Sequence, residues 1–261
     1  MSLSINTNLE AMDAQRNLSH TESSLATSMQ RLSSGLRINS AADDVAGYSI
    51  SEQLTSQING LDQAEQNSQD AVALTQTAQG SLNEVEEMLQ RVRELAVQYN
   101  NGTNTAEAKT AIVSEVSQLE SQISLVGETT KFNGISLLSA AGSITFQVGA
   151  NSGETIAVKT IDLSTSVGTI SLAQITSIEA AIEKVAAAAG EFGAVQNRVQ
   201  YTLDNLATYS ENLSAAESSL VDVNMAEEMT DFTKEQVLQQ AGISVLAHAQ
   251  EEPQAILKLL Q

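Results

Sequence analysis

From Asp44 to Tyr99 the sequence carries no proline and returns to an apolar residue about every three or four positions. Leu54, Ile58 and Leu61 open the series. Ser68, Val72 and Thr75 continue it weakly, and Leu82, Val85, Leu89, Val92, Ala96 and Tyr99 close it strongly. A stripe of that period lies along one side of an α-helix. At the standard rise, a helix on the order of 50 residues is ~80 Å long. Such a rod-like element is not stable alone and must bury its stripe against other helices.

The rest of the composition agrees with this constraint. One Pro and 14 Gly in 261 residues leave long stretches without breakers, and with 3% aromatics and no Trp the core must be aliphatic and Ala-rich. Leu18, Leu25, Met29, Leu32 and Leu36 form a one-sided seam that ends at Ser33-Ser34-Gly35. Asn101-Gly102 turns the chain, and a helix follows from about Thr105 to Val126 with Ile112, Val116, Leu119 and Ile123 on one face. The spacing returns at Ile178, Ile182, Val185, Ala189 and Phe192, then at Val199, Leu206, Tyr209, Leu213, Ala216, Leu220 and Val223. Gly190 and Gly193 are its expected soft spot, each costing about 1 kcal/mol relative to Ala. A last helix is expected from about Ala226 to Gln250, stopping near Pro253.

One segment breaks the helical pattern. Asn133-Gly134 reads as a turn, Ile144, Phe146 and Val148 alternate with polar residues, and Thr155, Ile156, Val158 and Ile161 follow a Gly149–Gly153 turn. Period-two spacing about a Gly/Asn turn is a β-hairpin signal. The expected fold is therefore mainly α: a long antiparallel helical coiled-coil rod with one small β-hairpin at about 130–165, its termini paired as an inner coiled coil. Residues 1–40 and 225–261 make the terminal coiled-coil domain, and 41–224 the rod.

Composition also excludes functions. With 32 acidic and 12 basic side chains the net charge is −20, which argues against nucleic acid or anionic lipid as partners. Residues 1–40 are net neutral and 225–261 carry −4, so −16 falls on the stretch between them. The absence of Cys removes thiol nucleophiles, disulfides and Cys-based metal sites. His248 is followed four residues later by Glu252 rather than by a second His, so the zinc-protease helix pattern fails. There is no Gly-x-Ser-x-Gly elbow and no phosphate-cradling loop. Asp43-Asp44 and Glu86-Glu87 are adjacent carboxylates that point to different helical faces. Neither an enzyme, a metal nor a cofactor is expected, and a metal-dependent secreted hydrolase would lack its ligands.

No run reaches the roughly 18 apolar residues of a membrane span, and Met1–Glu10 shows neither the basic start nor the apolar run of a secretory signal. Both termini instead offer apolar stripes. Ile5, Leu9, Leu18 and Leu25 are expected to pair with Met229, Phe232, Val237 and Val245, with Leu259 and Leu260 adding an apolar end that docks on something. Apolar surface too large for one chain to cover should drive polymerisation.

The motifs resemble those of bacterial flagellin. Leu32-Ser33-Ser34-Gly35-Leu36-Arg37-Ile38-Asn39 followed by Ala41-Ala42-Asp43-Asp44, and Leu89-Gln90-Arg91-Val92-Arg93-Glu94-Leu95-Ala96-Val97-Gln98, are similar to that family's signatures. So are Phe132-Asn133-Gly134, Phe146-Gln147-Val148-Gly149-Ala150-Asn151, Gln239-Gln240-Ala241-Gly242, Ser244-Val245-Leu246-Ala247 and the Pro253…Leu259-Leu260 ending. The resemblance spans nearly the whole chain. About ten residues, near Ser164 to Gln174, stand where longer members insert outer domains, so this resembles a minimal flagellin. Ala247-His248-Ala249-Gln250 departs from the family's Ala-Gln-Ala-Asn, and Glu251-Glu252 adds two charges before Pro253.

The resemblance implies a structural subunit of the flagellar filament; the alternative is a hook–filament junction protein of the same family. It implies as partners further copies of the chain, hook-associated and cap proteins, an export chaperone and a host Toll-like receptor. It implies secretion to the extracellular filament without a cleaved signal peptide. It also places Arg91, Leu95 and Glu115 at positions the family uses for receptor recognition, with Arg91 and Leu95 four residues apart on one face.

Overall fold

The computed structural model describes residues 8–259 except Thr169, with side chains described to Glu251. The fold is mainly α. Among the described residues six helices run over α1 Leu9–Ser34, α2 Val45–Tyr99, α3 Ala106–Thr129, α4 Leu163–Val167, α5 Ile175–Val221 and α6 Met225–Leu259. Four strands, β1 Lys131–Phe132, β2 Ile135–Ser136, β3 Ser139–Gln147 and β4 Thr155–Asp162, lie between α3 and α4.

The chain divides into two compact units. One takes in residues up to Thr55 and from Leu213 onward, and the other is Ser56–Asn212. In the Ser56–Asn212 unit the stripe of α2 is buried as a nearly continuous seam: Leu61, Ala64, Ser68, Ala71, Leu74, Ala78, Leu82, Val85, Leu89, Val92 and Ala96. The weak middle of that stripe is buried too. Ser68 and Thr75 donate their hydroxyls to Ala64 O and Ala71 O, at 2.7 and 3.0 Å, so two polar groups enter the core with their hydrogen bonds made.

Facing this seam, α5 supplies Ala181, Val185, Ala188, Phe192, Val195 and Val199. The expected soft spot does not interrupt the helix: α5 runs unbroken through Gly190 and Gly193. Gly193 instead permits close approach: a Cβ there would lie 2.9 Å from Gln79 Nε2. Tyr209 is exposed rather than part of the seam. Further along, Val92, Leu95 and Ala96 form a second cluster with Ile112 and Val116 of α3 and Ile178 of α5.

The β3–β4 hairpin is antiparallel with Ile144 opposite Val158 and Phe146 opposite Ile156, and a register irregularity between Ser139 and Gly142. Ile156, Val158 and Leu138 join the α2–α5 core. A second, two-residue hairpin pairs β1 with β2 through the Asn133-Gly134 turn, where both residues have positive φ. The β3–β4 turn packs on α2 at Gly60, where a Cβ would stand 2.9 Å from Ala150 Cβ. Asn67 holds the same turn by donating to Gln147 O at 3.0 Å.

In the other unit α1 and α6 pack together. Asn8 caps α1 by accepting from Ala11 N–H and closes on α6 by donating its amide to Ala249 O at 2.6 Å. Leu18 touches Gly242, and Arg31 meets Glu228. Contacts of 8 with 249, 18 with 242 and 31 with 228 make the pair antiparallel. Gly35, with φ +75°, ends α1 in the left-handed cap that glycine favours. Gly35 O then accepts from Val223 N–H, and Arg37 N–H donates to Val221 O, tying the connector to the end of α5. The last helix does not stop near Pro253 but continues to Leu259.

Candidate functional site

The α1–α6 pair is where the structure concentrates exposed apolar side chains. On α1 the half-buried or buried positions Ala11, Ala14, Leu18, Thr21, Leu25, Ser28 and Leu32 follow alternating spacings of three and four. On α6 the corresponding series is Glu228, Phe232, Glu235, Gln239, Gly242, Leu246 and Ala249. Both are heptad seams, but they are built largely of small and polar residues. Leu18, Leu25, Leu32, Phe232 and Leu246 lie in them half-buried, while other large apolar residues lie outside: Leu9 is 69% exposed, Val237 60%, Val245 57% and Met229 50%.

This corrects the expected pairing. Leu18, Leu25 and Phe232 lie in the seam as half-buried residues, whereas Leu9, Met229, Val237 and Val245 do not face it. Two stripes share one helix, and the one that makes the contact within the chain mixes small and polar residues with half-buried Leu and Phe side chains. Ile5 and Leu260 lie outside the described residues, as does the side chain of Leu259. Along α6, Met229, Thr230, Thr233, Lys234, Val237 and Leu238 line a shallow, largely apolar groove of about 590 Å³.

The polar contacts at the two ends of the seam were not anticipated. Glu228 is 8% exposed, in the first turn of α6, where a carboxylate also offsets the positive end of the helix dipole. Arg31 Nη1 stands 3.8 Å from Glu228 Oε2, while Arg31 Nε is buried without a hydrogen-bond partner among the described residues. An ion pair at this depth contributes little net stability, but removing one partner strands the other. Its only sequence signal was an acid and a base near the facing ends of two expected helices.

The connector between α1 and α2 is fixed by Asp43. Its carboxylate accepts from the Ser40 hydroxyl at 3.0 Å, and from Asn39 N–H and Ser40 N–H at 3.2 and 2.9 Å. These bonds, the Ser40 hydroxyl foremost, hold the Asp43 carboxyl below its ordinary range.

In the Ser56–Asn212 unit, Arg91 and Glu115 are exposed and bonded to each other. Arg91 Nε and Nη2 both donate to Glu115 Oε1, at 3.1 and 2.9 Å, and Nη1 donates to Glu94 Oε2 at 3.1 Å. Glu115 first and Glu94 second raise the Arg91 pKa above its usual value. Leu95 is elsewhere: at 2% exposure it belongs to the core formed with Ile112, Val116 and Ile178. Arg91 and Glu115 thus share one surface, which Leu95 does not reach. Among the described residues no group of three or more His, Asp or Glu is placed to hold a metal ion, and no helix is long and apolar enough to cross a membrane.

Comparison with known proteins decides the family. Residues 5–143 match the sequence model of the bacterial flagellin N-terminal helical region, and 175–260 match that of its C-terminal helical region. The chain belongs to the flagellin family. It is 45% identical to the flagellin of Halalkalibacterium halodurans, over 98% of this chain and 99% of the relative, and 38% identical to that of Bacillus subtilis over the same shares. The crystal structure of Bacillus cereus flagellin superposes with a TM-score of 0.51 at 32% identity, covering 58% of this chain and 94% of that one. The chain is a structural subunit of the bacterial flagellar filament, in a short form without inserted outer domains. Nothing in these relatives favours the hook–filament junction alternative.

Proposed function

We propose that the α1–α6 pair is the polymerisation surface of this flagellin, and that the residues turned away from its seam are buried by neighbouring copies. The observation that carries this is the apolar excess of the pair: most of the large apolar side chains that remain exposed belong to the unit containing α1 and α6. Leu9, Met229, Val237 and Val245 supply contacts between copies, and Leu18, Leu25 and Phe232 hold the pair in shape to present them. A chain ended after Val223 tests the reading: it should remain helical and soluble yet give no filaments in the electron microscope. Filaments from that chain would overturn it.

The chaperone, hook-associated and cap partners follow from the same surface, and the receptor from the Arg91–Glu115 cluster of the other unit. An export chaperone would cover α6 before assembly, and hook-associated and cap proteins would dock where the filament begins and ends. Arg91 with Glu115 forms the receptor-facing patch, and Leu95 supports it from the core. Because Arg91 is already bonded to Glu115 and Glu94, a Toll-like receptor would engage the ion-paired cluster as a unit. Arg91→Ala should weaken binding of free subunits to the receptor ectodomain by about 1–3 kcal/mol.

A further inference from the structure

The thioethers are unevenly distributed between the two units. Met12, Met29, Met225 and Met229 are 53%, 56%, 49% and 50% exposed, and all four belong to the unit built on α1 and α6. Met88, in the other unit, is partly buried against the α2–α5 core. Met225 and Met229 are one helical turn apart at the start of α6, and Met229 lines the groove that continues to Val237 and Leu238.

A methionine is useful on a surface that will be buried, because its flexible, polarisable chain fills irregular gaps. The same sulfur is open to oxidants while it is exposed. We propose that these four methionines form an oxidation-sensitive set, and that converting them to sulfoxides in the free subunit blocks its docking onto other copies. The proposal rests on the reading of the α1–α6 pair as the assembly surface. A peroxide is the co-reactant: one of its oxygens adds to the thioether sulfur, its O–O bond breaks, and the second oxygen leaves as water. The sulfur is oxidised and the peroxide reduced. Each product is a polar, chiral sulfoxide whose oxygen must be desolvated or hydrogen-bonded if the site is buried. In the polymer the four sulfurs are covered, so assembly protects the sites that permit it.

The test uses the full chain. Free subunits and preformed filaments are treated with hydrogen peroxide, quenched with catalase, and mapped peptide by peptide by mass spectrometry. Polymerisation is then measured by sedimentation. In free subunits Met12, Met29, Met225 and Met229 should oxidise ahead of Met88, and the concentration needed for polymerisation should rise roughly tenfold, as lost burial of apolar side chains implies. In filaments the four should be protected. A variant carrying Met→Leu at all four positions, a swap that conserves volume, should show no further rise in its own polymerisation threshold after peroxide, whatever that threshold is before treatment. The pair M225L/M229L, with helicity checked by circular dichroism, keeps the test usable if the fourfold variant folds poorly. Oxidised subunits that polymerise normally, or a fourfold variant inhibited as strongly as the parent, would overturn the proposal. Filaments in which the four sulfurs oxidise as fast as in free subunits would instead overturn the reading of the assembly surface.

Discussion

The two units use the same heptad geometry to opposite ends. Along α2 and α5 between Ser56 and Asn212, the seam carries Leu74, Leu82, Val85, Leu89, Val92, Val185 and Phe192, all at most 2% exposed. Along α1 and α6 the seam carries Leu18, Leu25, Leu32, Phe232 and Leu246 only half-buried among Ala11, Ala14, Thr21, Ser28, Glu228, Glu235 and Gln239, while Leu9, Met229, Val237 and Val245 lie outside it. Burial of each large apolar side chain contributes roughly 1.5–3 kcal/mol. The first unit collects that contribution within one chain; in the second much of it is left exposed, and under the assembly proposed above it would be collected between chains.

The sharpest way to break the comparison is the same kind of truncation in both places. Leu89→Ala, at a fully buried position, should cost about 2–5 kcal/mol and lower the melting temperature of the free subunit. Val237→Ala, at a 60% exposed position, should leave that melting temperature nearly unchanged. It should raise the concentration needed for polymerisation by up to about tenfold, since roughly 1–1.5 kcal/mol of burial is lost per copy. If Val237→Ala destabilises the free subunit as much as Leu89→Ala does, the contrast between the units fails.

Glycines sharpen the comparison inside the self-contained unit. A Cβ at Gly60 would meet Ala150 at 2.9 Å, whereas Gly190 is exposed with nothing within 4 Å of its would-be Cβ. Gly190→Ala should therefore stabilise by about 0.5–1 kcal/mol through helix propensity alone. Gly60→Ala gains the same propensity but must displace the β3–β4 turn, an overpacking that costs about 1–3 kcal/mol. Chemical denaturation of the two variants should give shifts of opposite sign.

The sequence made the elements legible and left their facing ambiguous. The length of α2, the hairpin pairing Ile144 and Phe146 with Val158 and Ile156, and the partnership of the two ends were all readable, because each rests on a period within one segment. Which stripe of α6 turns inward was not. Val237 and Val245 are more apolar than Glu235 and Gly242, so hydrophobicity points to the residues that lie outside the seam. The choice between a contact within the chain and one between chains is a tertiary fact. Leu95 misled for a related reason: it flanks the stripe of α2, but there α3 and α5 both pack nearby and widen the buried face to include it. The Arg31–Glu228 contact was invisible because it depends on the register of two helices nearly 200 residues apart.

The smallest effect concerns pH, and it asks whether the turns of the two units respond alike. Asp43 in the terminal unit and Asp162 in the other both have carboxyls held below their ordinary range. The Ser40 hydroxyl leads in the first case, and the Thr165 hydroxyl followed by that of Ser164 in the second. Because the folded form binds the proton less readily than the unfolded chain, the stabilisation is fully present above the ordinary Asp pKa of about 4. It is lost as the pH falls through the lower folded value. Both carboxylates are solvent-exposed, so the loss should be local rather than global. Hydrogen exchange corrected for its intrinsic pH dependence should show the connector around Asn39 and Ser40 and the start of α4 loosening together in acid, while the buried stretch of α2 around Leu89 stays protected. Asp43→Asn should remove the pH response at the connector and leave that at α4 intact. If Asp43→Asn leaves the connector's response unchanged, the acid sensitivity there comes from another group.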